Sequence, residues 1–99
     1  MKNQKEVKVF VMAAQMLKSV AHPARIEIIN HLVEKKNLSV NDLKNRLDIT
    51  QSMTSQHLAI LKNAGIVDCE KKANVCNYFI RNKNILKLLD CVENCAKSH

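Results

Sequence analysis

Four cysteines are the side chains most able to do chemistry in this 99-residue sequence, and they fall into two pairs, Cys69 with Cys76 and Cys91 with Cys95. Cys91, Cys95 and His99 stand at i, i+4 and i+8, so on a helix they climb one side. Cβ atoms four residues apart lie about 5–6 Å from each other, too far for an unstrained disulfide but workable for two ligands on one metal. Such donors favour zinc, copper(I) or a thiophilic ion such as arsenite. Cys69 and Cys76 flank the polar stretch "KKAN". A four-residue loop from Lys71 to Asn74 makes them direct cross-strand neighbours, with Cα atoms about 4.5–5.5 Å apart, inside the window in which a disulfide closes. Oxidation would then lock or twist the hairpin. That register rests on the loop length, because a one-residue change moves the two sulfurs to opposite faces. All four cysteines also suit plain packing, since free cysteine behaves as a small hydrophobe.

The second constellation is "TQSMTSQHLAILKNAG", residues 50–65, a polar front that turns apolar and stops at the chain's single glycine. At about 100° per residue, Met53, His57, Ile60, Leu61 and Ala64 gather on one side of a helix. Gln51, Ser52, Ser55, Gln56, Ala59, Lys62 and Asn63 gather on the other. The polar side is rich in short donors and acceptors, has a small residue at its middle and carries no acidic group to repel phosphate. Glutamine can pair bidentately with adenine, and serine or threonine with either partner, so this face suits base edges. Its bland alternative is an ordinary solvated face. His57, on the opposite side, reads as a packed, hydrogen-bonded imidazole, His22 as a cap for the helix opened by Pro23, and His31 as a helical residue with no evident partner. Paired carboxylates with a positioned base, a Ser/His/Asp set and a glycine-rich phosphate loop are all missing, so an enzyme is not expected.

The elements that must position these groups follow from punctuation and period. Apolar spacing predicts helices over about 4–19 and 23–34. A third is opened by Ser39 with Asp42 at capping-box spacing. The fourth, over about 51–64, is capped by Thr50 and ended by Gly65. "IVDCEKKANVCNYFI" reads as a two-stranded hairpin over about 66–80 with a basic tip, and helical spacing returns over about 83–97. The fold class is mainly α with a small β-hairpin, a single winged helix-turn-helix domain that places its second helix in the major groove. Sixteen Lys and Arg against nine Asp and Glu give a net charge of +7, which attracts polyanions. The longest apolar run, "VFVMAA", is far short of the roughly eighteen residues that span a bilayer, so a cytoplasmic protein with no membrane partner is expected. Apolar stripes on the first and last helices are plausible dimer surfaces.

Three segments, "LKSVAHPARIEIINHL", "LSVNDLKNRLDITQSMTSQHLAILKNAGIVDCEKK" and "VCNYFI", together resemble the ArsR/SmtB family of bacterial winged-helix repressors over about residues 17–80. The resemblance implies a homodimer joined through its N- and C-terminal helices, bound to an inverted-repeat operator in double-stranded DNA and released by an inducer. It puts Gln51, Ser52, Thr54, Ser55 and Gln56 at base-contacting positions, and Lys71, Lys72 and Asn74 at the wing tip near phosphates or the minor groove. The sequence departs from the family's metal sites: "VNDLKNRLDI" lacks the thiolate pair of the third helix, and "NKNILKLLDCVENC" has Asn where ligands of the last helix should stand. The expectation is therefore a repressor released by a thiol-directed signal, redox or a thiophilic metal. Its alternatives are a repressor with no small inducer and a winged-helix protein interaction module.

Overall fold

A computed structural model describes residues 3–99. Helix α1, Gln4–Val20, starts where the Asn3 side chain accepts from the Glu6 N–H. Pro23 opens α2, Pro23–Lys35, and His22 Nδ1 caps it by accepting from the Ala24 N–H at 3.0 Å. The Ser39–Asp42 box forms in both directions at the start of α3, Val40–Leu47. Thr50 Oγ1 accepts from the Met53 N–H to start α4, Gln51–Asn63. Gly65 follows in the left-handed region, at φ 77°, and turns the chain into the sheet.

The sheet has three antiparallel strands rather than the expected two. A short β1, Asn37–Ser39, pairs with β3, Val75–Ile80, whose other side pairs with β2, Val67–Lys72, leaving β2 as an outer edge. Only three residues long and fused to a helix cap, β1 carries no period-2 signal of its own. The hairpin register also departs from expectation. Lys71 faces Cys76 and Cys69 faces Tyr78, because the loop is Ala73 and Asn74 alone. Both loop residues have positive φ, 50° and 66°. Two left-handed residues match the right-handed twist of the strands better than a wider loop. Cys69 and Cys76 thus share a face as diagonal neighbours, a spacing of about 7–8 Å at which a disulfide needs backbone movement. The cross-strand disulfide expectation is overturned, and all four cysteines are free thiols.

The core lies between α2, α3, α4 and the sheet. Ile28, Ile29, Leu32, Leu43, Leu58, Leu61, Ile66 and Val67 are essentially inaccessible. The last helix, α5, Asn84–Lys97, joins it through Ile85 and Leu89, and Asn30 Nδ2 donates to Glu93 Oε1 at 2.7 Å. Helix α1 contributes little, burying Ser19 and Val20 while Val9, Phe10, Val11 and Met12 stay at least half exposed. The molecule measures 51 × 35 × 21 Å, with a radius of gyration of 14.7 Å. A compact chain of this length has about 13 Å, so α1 and α5 leave apolar surface outside the core.

Candidate nucleic-acid interface

Helix α4 turns its apolar stripe inward on Thr54, Leu58 and Leu61, a stripe rotated from the expected one. Met53 and Ile60, expected inside, are 48% and 42% exposed. Thr54, expected among the base-contacting residues, is fully buried, and its Oγ1 donates to the Thr50 carbonyl at 2.9 Å. It has no surface to offer a base and instead stiffens the first turn. A threonine that satisfies its hydroxyl on the backbone four residues back can sit in a core, which polarity alone does not reveal.

Gln51, Ser52, Ser55, Gln56, Ala59, Lys62 and Asn63 are all exposed. No acidic residue occupies the first turn, so beyond the Thr50 cap on the Met53 N–H no side-chain charge in that turn offsets the positive end of the α4 dipole, an arrangement suited to phosphate. The wing tip likewise exposes Lys71, Lys72, Ala73 and Asn74. Lys72 Nζ lies 3.9 Å from Glu70 Oε1, a solvent-exposed pair that holds the lysine loosely. At the far end of α4, Lys62 Nζ donates to Cys69 Sγ at 3.4 Å, tying the helix to β2. That hydrogen bond and the neighbouring thiol charge raise the Lys62 pKa, so it stays cationic. The pairing spans a helix end, a turn and a strand start, where no single period relates the two residues, so sequence reasoning missed it.

His57 sits half-buried at the base of α4, its ring centroid 4.6 Å from that of His22. It is packed as expected but not fully hydrogen-bonded, since its Nδ1 finds no partner among the described residues. Burial, reinforced by His22 and Arg25, holds its pKa below the ordinary histidine value. His31 has neighbours after all, with Arg46 Nη1 at 3.4 Å and Glu27 Oε1 at 3.8 Å.

Cys91 and Cys95 are exposed on α5, which ends at Lys97, so His99 lies beyond the helix that was expected to align the three. Among the described residues no three His, Cys, Asp or Glu side chains gather closely enough to hold a metal ion. The Cys91, Cys95 and His99 set is therefore not a closed site within one chain. No described helix is long and apolar enough to cross a membrane.

Residues 22–68 match the family model described as bacterial regulatory protein, arsR family. The cadmium resistance transcriptional regulatory protein CadC of Listeria innocua is 39% identical over 66 residues, 67% of this chain. The chain spans only 56% of that protein's length. The transcriptional activator HlyU of Vibrio cholerae is 33% identical over 78 residues, 79% of this chain and 71% of the relative. The biofilm growth-associated repressor of Agrobacterium fabrum is 35% identical over 79 residues, covering 80% of this chain and 67% of the relative. The solved structure of V. cholerae HlyU superposes with a TM-score of 0.78 at 31% identity, covering 89% of this chain and 95% of that one.

Proposed function

The chain belongs to the arsR family of bacterial regulatory proteins, and from that premise we propose that it is a homodimeric repressor of transcription that binds an inverted-repeat operator and is released by a thiol-directed signal. The observation that carries the DNA reading is the exposed row Gln51, Ser52, Ser55 and Gln56 at the start of α4, whose first turn carries no acidic residue, in a chain whose wing exposes Lys71, Lys72 and Asn74. In this reading the α4 residues read base edges, while Lys62 and the wing lysines hold the backbone. The exposed stripes of α1 and α5 support dimerisation through those helices. A two-fold dimer sets its recognition helices about 34–36 Å apart, one DNA turn.

Fluorescence anisotropy on the protein's own upstream DNA tests this, with the protein fully reduced, then mildly oxidised, then re-reduced. Tight binding that weakens steeply with salt, by about 0.9 in the log–log slope for each phosphate neutralised, and that prefers the upstream sequence over random duplex is the expected result. Binding that is weak and indifferent to sequence sinks the DNA reading in favour of a protein interaction module. Binding unchanged by oxidation removes redox sensing, and zinc, copper(I) and arsenite added to the same sample then test the thiophilic-metal signal; indifference to these as well leaves a repressor with no small inducer.

A further inference from the structure

We propose that Cys69 is a modification site for soft carbon electrophiles of the α,β-unsaturated carbonyl class, and that an adduct there obstructs Lys62 and Lys71 on the side of the wing that meets DNA. The second half rests on the DNA-binding reading above; the first half does not.

The site is a cluster on one face of the hairpin. Lys62 Nζ donates to the Cys69 sulfur at 3.4 Å, Tyr78 stands directly across from Cys69, and Cys76 lies diagonally beyond. Burial, followed by the charges of the two thiols, pushes the Tyr78 phenol up, so it stays protonated beside the sulfurs. Among the described residues no group donates a hydrogen bond to the sulfur of Cys91 or Cys95, although both are more exposed. Thiols attack as thiolates, and an ammonium within hydrogen-bonding reach stabilises the charge. In the addition the sulfur bonds to the β-carbon and the C=C π pair moves to the α-carbon. The proton lost by the thiol to solvent is replaced there from solvent. Nothing is oxidised or reduced, and no co-reactant is required. Cys69 and Lys71 alternate onto the same face of β2, so the adduct stands where Lys62 and Lys71 would approach phosphate.

The test uses limiting N-ethylmaleimide at neutral pH and peptide mapping by mass spectrometry on the full chain. Cys69 is expected to label severalfold faster than Cys91 and Cys95 despite its lower exposure, and Lys62→Gln, at an exposed position, should abolish that lead. Faster labelling of the exposed pair, or a lead untouched by Lys62→Gln, overturns the site. A variant carrying Cys76→Ser, Cys91→Ser and Cys95→Ser is then compared on DNA before and after labelling. Its affinity should fall, and its salt slope should shrink by about 0.9 for each phosphate that the obstructed lysines no longer neutralise. An unchanged slope overturns the obstruction. If the unlabelled protein does not bind DNA, the DNA reading fails, and the labelling rates still decide the site.

Discussion

Single side chains on α4 divide into those that hold the helix and those it holds out. Thr54→Ala removes a buried methyl and a hydroxyl bonded to the Thr50 carbonyl, which should cost about 1–2 kcal/mol of stability. Base preference should stay intact while the protein remains folded. Gln56→Ala should do the reverse, leaving the melting temperature in place and relaxing preference at one base pair by about 1–3 kcal/mol. Chemical denaturation and binding to single-base operator variants separate the two. His57 supplies a pH dependence at the same scale. Its folded pKa lies below the ordinary 6.5, so the unfolded chain takes up the proton first. Its contribution to stability is therefore undisturbed well above pH 6.5 and erodes as the pH falls through that value towards the folded pKa. The melting temperature should drop on acidification, and His57→Gln, which cannot take up the proton, should flatten that drop.

Elements were legible in the sequence wherever a local chemical signal marks an end. Ser39, Thr50, Pro23 and Gly65 each act on backbone groups within three or four residues, and each acts in the fold as its type dictates. The inward face of α4 was misjudged because Thr54 hides its polarity on the backbone and Met53 and Ile60 are left outside. The hairpin register was missed because neither Ala73 nor Asn74 is the glycine that usually announces a two-residue loop. Two left-handed positions consequently offer opposite predictions. Ala73 holds φ 50° with a Cβ, so Ala73→Gly should relieve strain and stabilise the wing by about 0.5 kcal/mol after the added unfolded-state entropy. At Gly65 an added Cβ meets nothing within 4 Å, so the cost of Gly65→Ala is conformational, about 1–2 kcal/mol. Thermal melts of the two variants should move in opposite directions. An unmoved Gly65→Ala would show that the turn relaxes away from φ 77°.

For the whole molecule, the dominant fact is a long first helix with most of its apolar side chains uncovered. Val9 and Met12 are 58% and 61% exposed, so replacing both with glutamate should leave the core untouched. If α1 joins two chains, the double variant should sediment as a monomer with unchanged circular dichroism and lose most of its operator affinity, since each chain then holds a single half-site. A variant that still sediments as a dimer would move the interface elsewhere. The sheet has its own boundary condition. One flank ends in a strand of only three residues, whereas β2 is the longer open edge, along which the Cys69 N–H is taken by Asp68 Oδ1 at 2.8 Å. An open strand edge is a template for another chain, and lysine side chains are among the residues that blunt it. Lys71 and Lys72 sit on that edge. The charges that we propose hold the wing to a nucleic acid would thus also keep wings in a crowded cell from zipping together into insoluble sheets.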